Sequence, residues 1–157
     1  MERIVVGVDG SEGSKQAMAW AAREATVHGA ALEVVYAYEH RPNWSTYGTD
    51  EHLTRGAAER IREEVERGAQ RSADEARSLV ASMVERLDLK RIEAHAIETD
   101  HPARALVDHA KGADLLVVGS RGRGSFKSLM LGSVSQQCAH HADCPVVIIR
   151  SVGDVSE

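Results

Sequence analysis

The amino-acid sequence predicts a doubly wound α/β sandwich, with a five-stranded parallel sheet in the order 3-2-1-4-5 between two layers of helices. Three observations support this prediction. Short apolar runs alternate with helical patterns five times along the 157 residues. The runs around Val5 and Leu116 are apolar without interruption, which is typical of central strands buried on both faces. The run that begins at Arg91 alternates apolar and polar residues, which favours a strand at a sheet edge.

The first half of the chain predicts two strands and two helices. In order, these are a strand over 3–9, a helix to about residue 28, a strand over 31–38 and a long charged helix over 53–87. Ser11 or Ser14 is expected to cap the first helix. The long helix has Gly68 as a candidate point of interruption. Its buried stripe is expected to include Ala69, Ala73, Ala76, Leu79, Val80, Met83 and Leu87.

The second half predicts the remaining three strands. In order, the elements are a strand over 91–98, a short helix to about residue 111, a strand over 113–118, a helix over 133–141 and a strand over 145–150. Asp100 stands where the N-cap of the short helix is expected, with Pro102 just inside the helix. A single domain is therefore expected over residues 1–150, followed by a loose tail over 151–157.

Charge and composition exclude several classes of function. A net charge of −5 and a pI of about 5.9 argue against nucleic acid or an anionic membrane as the main partner. No apolar stretch approaches the roughly 18 residues of a membrane helix, and no signal-peptide pattern is present, so a cytoplasmic protein is expected. Cys138 and Cys144 fit no redox or zinc spacing and are expected in the core. The histidines show no HExxH pattern, so no metal site made of protein ligands alone is expected.

A glycine-rich loop after the fourth predicted strand indicates an anion site. Gly119-Ser-Arg-Gly122 is followed by nine residues and then by Gly132-Ser133, and the loop also contains Arg123 and Lys127. Glycines let the backbone turn its N–H groups toward a phosphate, and the helix N-terminus beyond them adds partial positive charge. In the order 3-2-1-4-5, this loop and Asp9 both lie at the point where the chain reverses direction, which is where such folds bind ligands.

The loop differs from two well-known phosphate-binding patterns. It does not read GxxxxGK[ST], and the turn after the first strand does not read GxGxxG. In that turn, Glu12 would repel a pyrophosphate. A Rossmann dehydrogenase is therefore not expected, nor is an ATP pyrophosphatase of related fold, because the serine- and glycine-rich turn of those enzymes is missing.

Three segments together resemble the universal stress protein family. They are Val8-Asp9-Gly10-Ser11, the Gly119-x2-Gly122-x9-Gly132-Ser133 loop, and the ending Ala142-Asp143-Cys144-Pro145-Val146-Val147. The similarity covers roughly residues 1 to 150. Because the loop glycines are present, the chain resembles the ATP-binding branch of the family.

The resemblance implies a set of nucleotide-binding residues: Gly7, Val8, Asp9, Ala37, Gly119, Ser120, Arg121, Gly122, Arg123, Gly132, Ser133, Val134 and Ser135. Asp9 would accept hydrogen bonds from ribose hydroxyls, and the backbone of Ala37 would meet the adenine edge. Arg121 and Arg123 would neutralise phosphates, and the last helix would bind the β- and γ-phosphates with amides and hydroxyls. Alternatively, Asp9 is the cap of the first helix, and Ser133 is a plain N-cap.

Binding of ATP with at most slow turnover is the function that we expect. Fast hydrolysis needs a base and usually a metal held by a carboxylate, and residues 119–137 contain no Asp or Glu. Mg²⁺ or Mn²⁺ would be held mainly by the phosphates, and the protein would act as a nucleotide-dependent switch or modulator of a stress response. One alternative is an ATPase or phosphotransferase whose base is Glu39 or His40. Another is an interaction protein that keeps the loop for packing or that binds AMP or a cyclic nucleotide.

Two further segments suggest roles beyond the loop. Val146–Ile149 is apolar on both faces, yet the strand order places it at a sheet edge, where an unpaired apolar strand is an aggregation hazard. The resemblance implies a homodimer through this strand. Residues 39–50 lie beside the expected adenine pocket and contain Trp44 and Tyr47, which are either part of a lid or an aromatic pair packed on the long helix.

Overall fold

The computed structural model describes residues 1–39, 55–85, 87, 89–122 and 131–150. The elements are β1 (Arg3–Val8), α1 (Glu12–His28), β2 (Ala31–Tyr38), α2 (Arg55–Val84), β3 (Ile92–Glu98), α3 (Pro102–His109), β4 (Leu115–Gly119), α4 (Ser133–His141) and β5 (Val146–Ile149). All neighbouring strands pair in parallel, in the order β3-β2-β1-β4-β5. The predicted fold class and strand order are confirmed.

The sheet has a separate apolar core on each face. Alternate residues of each strand point to opposite faces, so successive residues of β1 and β4 enter different cores. Helices α1 and α2 cover one face, and α3 and α4 cover the other. Fully buried residues on the first face include Ile4, Val6, Leu32, Val34 and Val117, and those on the second include Val5, Val35, Leu116 and Cys138. The unbroken apolar pattern of the central strands therefore reflects burial on both sides.

Helix α1 packs closely on the sheet because its buried residues are small. Ala17, Ala21 and Ala25 are each at most 1% exposed. The backbone N–H of Ser14 donates to Ser11 Oγ over 3.2 Å, so Ser11 is the N-cap. Gly29 closes the helix in the left-handed conformation with φ 63°, where a residue with a side chain would be strained.

Two predictions about α2 are wrong. The helix runs through Gly68 without interruption, because one glycine costs a helix only about 1 kcal/mol and the flanking turns outweigh it. Leu79 is 38% exposed, whereas Val80 is 2% exposed. Neighbouring residues point about 100° apart around a helix, so only one of these two can face the sheet fully. The predicted start at residue 53 lies outside the described residues.

The predicted cap of α3 is also wrong. His101, rather than Asp100, is the N-cap, and it makes no side-chain cap hydrogen bond. Pro102 is the first helical residue, a position that its fixed φ favours, and this places the cap one residue later than expected.

The edge strand β5 packs on both cores. Val147 and Ile149 contact the first core, and Val146 and Ile148 contact the second. All four residues are half-buried in the isolated chain.

Among the residues that the structure describes, no helix has the length and apolar character needed to cross a membrane.

Candidate ligand site at the carboxyl ends of the central strands

The strand order brings two distant segments together at one edge of the sheet. Val6 of β1 pairs with Val117 of β4, so both strands end at the same edge. Asp9 follows β1 directly, and 120–122 follows β4 directly. The structure therefore brings Asp9 beside the glycine loop, as the sequence predicts from the topological switch point.

The carboxylate of Asp9 lies against Gly122. Asp9 Oδ1 accepts a hydrogen bond from the backbone N–H of Ser11 over 3.0 Å. A Cβ atom built on Gly122 would overlap Asp9 Oδ2. Glycine at position 122 thus leaves the space that the carboxylate occupies. Because Ser11 caps α1, the alternative that Asp9 is the cap is wrong.

The two described ends of the loop are fastened to each other and to the sheet. The carbonyl oxygen of Ser120 accepts from the backbone N–H of Gly132 over 2.7 Å and from Ser135 Oγ over 2.9 Å. Ser135 Oγ also approaches the Gly132 carbonyl at 2.9 Å. The N–H of Ser120 donates to the carbonyl of Ile149 over 2.7 Å, which ties the loop to β5.

Ser120 and Ser135 are therefore parts of the scaffold. Their exposed fractions are 0% and 2%. The Ser135 hydroxyl donates to backbone carbonyls, so it positions the start of α4 against the loop, whereas the sequence suggested a hydroxyl directed at phosphate. Sequence spacing alone contains no sign of this bond, because it joins residues 15 positions apart.

Two glycines at this edge permit close packing. A Cβ on Gly119 would lie 2.9 Å from the carbonyl carbon of Gly13, so β4 ends directly against the first turn of α1. A Cβ on Gly7 would lie 2.7 Å from Leu106 Cδ1 of α3. Packing therefore explains both glycines without any ligand. The contact with Gly13 was not expected from the sequence.

The structure describes all but one of the remaining predicted residues. Val8 pairs with Tyr36, so Ala37 lies level with Asp9 across the strand pair. Ser133 is exposed at the start of α4, Arg121 is half-buried, and Val134 packs on the second core. Arg123 and Lys127 lie outside the described residues, as do all of 40–50 and the tail 151–157.

The N-terminus of α4 is suited to an anion. Its N-cap, Gly132, has no side chain with which to cap the first-turn amides. The helix dipole places partial positive charge at the same end. The Asp9 carboxylate lies against Gly122 at the other described end of the loop, and an ionised carboxylate only accepts hydrogen bonds. Together they suit a ligand that carries hydroxyl groups at one end and a negative charge at the other.

This fold and this edge define a doubly wound α/β protein with a candidate ligand site at its switch point. A sequence model of the universal stress protein family matches residues 1–150. The chain belongs to the universal stress protein family.

Individual relatives agree with this assignment. A universal stress protein of Thermus aquaticus is 38% identical over 149 residues, which cover 94% of this chain and 97% of the relative. A universal stress protein of Mycolicibacterium smegmatis is 31% identical, and the match covers 94% of this chain but 47% of that protein. The chain thus spans about half the length of this mycobacterial relative.

Solved structures show the same fold. Universal stress protein UspA from Lactobacillus plantarum aligns with a TM-score of 0.67 at 23% identity, over 95% of this chain and 97% of that one. A universal stress protein solved in complex with cAMP aligns with a TM-score of 0.56 at 25% identity, over 94% of this chain and 95% of the other.

Proposed function

We propose that this universal stress protein binds ATP at the edge formed by Asp9, the glycine loop and the start of α4. The observation that carries the proposal is the placement of the Asp9 carboxylate directly against Gly122, in a loop fastened to the α4 N-terminus. The relative solved with cAMP supports an adenine nucleotide as the ligand class.

The nucleotide would lie across the ends of β1 and β4. Asp9 would accept hydrogen bonds from the ribose hydroxyls, with Gly7 and Val8 beneath the nucleoside and the Ala37 backbone beside the adenine. Gly119 and Gly122 would allow the backbone to pass close to the ribose and phosphates.

The phosphates would extend toward α4. The exposed Ser133 hydroxyl and the first-turn amides would bind them, and Arg121 and Arg123 would supply positive charge. Because the proposed contacts run from Asp9 to the first turn of α4, we expect several phosphates to be bound, and hence ATP in preference to AMP or a cyclic nucleotide.

The site is better suited to holding ATP than to hydrolysing it. Residues 119–137 contain no Asp or Glu, and Asp9 Oδ1 already accepts from Ser11. A hard cation such as Mg²⁺ or Mn²⁺ prefers several oxygen ligands, so it would be held mainly by the phosphates and water. The protein would then serve as a nucleotide-dependent modulator of the stress response. Steady-state ATP hydrolysis at ordinary enzyme rates would contradict this and favour the ATPase or phosphotransferase alternative.

Association through β5 is part of the same proposal. Val146–Ile149 is half-buried at an open sheet edge and packs on both cores, so its outer edge would be covered by the same strand of a second copy. A cytoplasmic location stays a prediction.

Isothermal titration of the nucleotide-free protein with MgATP, ATP, AMP and cAMP tests the site. Saturable binding with the highest affinity for ATP is expected. If no nucleotide binds, the loop serves packing alone, and if AMP or cAMP binds more tightly than ATP, the proposed phosphate contacts at α4 are wrong.

A further inference from the structure

A second group of ligand-type side chains lies on the α3 face of the sheet. It consists of Glu33 on β2, His95 on β3 and His109 at the end of α3, and their ligating atoms all lie within 4.8 Å of one another. The rings of His95 and His109 are tilted by 56°, with their centroids 4.7 Å apart. Glu33 and His109 are 76 residues apart in sequence, so no ligand spacing indicates this group.

The group is distant from the proposed nucleotide site. Glu33 is in register with Val5 of β1, four residues before Asp9. At about 3.3 Å per residue along a strand, this corresponds to about 13 Å. Any function of the group is therefore separate from the proposed nucleotide binding.

One imidazole nitrogen in this group lacks a hydrogen bond. His95 Nε2 is shielded from solvent and makes no hydrogen bond within the described part of the chain. The Glu93 carboxylate, 3.5 Å away, does not satisfy it. A buried polar atom without a partner is destabilising, so a ligand for this nitrogen would stabilise the protein.

Glu33 is held in place by Arg3. Arg3 donates to its two carboxylate oxygens, from Nε to Oε1 over 2.7 Å and from Nη2 to Oε2 over 2.9 Å. Arg3 itself is fixed by the carbonyls of Lys111 and His109, over 3.0 and 2.8 Å. Such outer partners commonly orient the carboxylates and imidazoles that bind metals.

Glu33 and His109 are in direct contact. Glu33 Oε2 lies 2.7 Å from His109 Nε2. Two imidazole nitrogens and one carboxylate oxygen thus lie within 4.8 Å of one another, and the His95 side chain is 33% exposed.

We propose that Glu33, His95 and His109 bind one divalent transition-metal ion of the zinc class, with solvent completing the coordination. Two imidazoles and a carboxylate are a donor set that suits Zn²⁺ and its neighbours, whereas Mg²⁺ and Ca²⁺ prefer oxygen alone. Ligand atoms around tetrahedral zinc are roughly 3.3 Å apart, given bonds of about 2.0–2.1 Å. The present separations, from 2.7 Å up to 4.8 Å, bracket that value.

Binding requires small local changes. The Glu33–His109 contact opens slightly and His95 moves inward, which its place on the edge strand β3 allows. His109 must carry its ring proton on Nδ1, so that Nε2 gives its lone pair to the ion. The positive charge of Arg3 opposes a second cation nearby, so we expect micromolar rather than subnanomolar affinity.

The test uses the full chain, stripped with a chelator and titrated with Zn²⁺ or Co²⁺ alone. One ion per chain is expected, with the visible absorption of Co²⁺ bound by nitrogen and oxygen ligands in a low-coordinate site. His95→Gln should weaken binding at least tenfold, because it removes the ligand that makes no other hydrogen bond. His28→Gln is the matched control, because His28 Nε2 lies 3.5 Å from Glu24 on an exposed face and belongs to no group of three ligand-type side chains among the described residues.

Two results would overturn the proposal. One is equal Zn²⁺ affinity in wild type, His95→Gln and His28→Gln. The other is the absence of visible Co²⁺ absorption from the wild-type protein when one Co²⁺ ion is added per chain. This result would overturn the proposal even if the His95→Gln variant does not fold. Thermal unfolding provides a further check, since Zn²⁺ should raise the Tm of the wild type and of His28→Gln but not that of His95→Gln.

Discussion

Replacement of Gly122 by alanine should remove most of the nucleotide affinity while leaving the fold intact. The new methyl group would overlap Asp9 Oδ2 and force the carboxylate away from the loop. Gly122 is not among the described glycines with positive φ, so alanine fits its backbone conformation without strain. The expected damage is therefore confined to Asp9 and to the ligand that it would hold.

The size of the effect follows from the contacts that would be lost. A hydrogen bond to a charged group contributes about 1.5–3 kcal/mol. Loss of one such bond between Asp9 and a ribose hydroxyl would weaken binding by about 10- to 150-fold. If Asp9 moves far enough to release the N–H of Ser11, now 3.0 Å from its carboxylate, a modest loss of stability should accompany the loss of affinity.

Calorimetric titration with MgATP measures the affinity, and thermal unfolding followed by circular dichroism reports the fold. Gly56→Ala is the matched control, because it makes the same change where a Cβ meets nothing within 4 Å. We expect Gly56→Ala to bind ATP like the wild type. A folded Gly122→Ala protein with wild-type ATP affinity would refute the role of Asp9 and of the loop.

Three other predictions concern the loop scaffold, the proposed β5 interface and a buried thiol. Ser135→Ala should destabilise the protein by about 1 kcal/mol, which corresponds to a Tm lower by about 2–4 °C, because it removes the hydroxyl that lies against the carbonyls of Ser120 and Gly132. The control Ser133→Ala, at an exposed position, should have little effect on Tm. An unchanged Tm in Ser135→Ala would show that the Ser135 hydroxyl does not stabilise the contact between the loop and α4. Ile148→Lys should shift the protein to monomer or aggregate, as measured by sedimentation velocity. The control Val27→Lys, at a position that is 75% exposed, should leave the oligomeric state unchanged. If Ile148→Lys formed a dimer as strong as that of the wild type, β5 would not be the interface. Burial raises the pKa of the Cys138 thiol to about 11, so the native protein should leave this thiol unmodified by a disulfide reagent at pH 8 and expose it only on unfolding. Because the pKa of Cys138 is raised in the folded state, the contribution of this thiol to the free energy of unfolding is full below about pH 9 and falls as the pH rises toward 11. Rapid labelling of Cys138 in the native protein would contradict its burial.

The sheet order, and the meeting of Asp9 with the glycine loop at one edge of the sheet, could be predicted because they depend on patterns that the sequence shows directly. Burial on both faces makes β4 continuously apolar, and the glycines that follow mark where it ends. The alternation over β3 placed it correctly at an edge. The juxtaposition of Asp9 and the loop then followed from parallel topology alone.

Other features depend on contacts that no local pattern encodes. The direction of the Ser135 hydroxyl and the contact of Gly119 with Gly13 arise from tertiary packing. The predicted Asp100 cap is wrong because Pro102, two residues further along, is the first helical residue, which makes His101 the N-cap. No sequence pattern indicates the Glu33–His95–His109 group, because its members come from three separate elements.

The central claim, that the chain is an ATP-binding universal stress protein, is tested most directly by identifying the nucleotide that co-purifies with it. The protein would be denatured, and the released small molecules would be measured by mass spectrometry against protein concentration. We predict ATP, approaching one molecule per chain in the wild type and Gly56→Ala, and strongly depleted in Gly122→Ala. Wild-type protein that carries no nucleotide and binds none when ATP is added would contradict the claim.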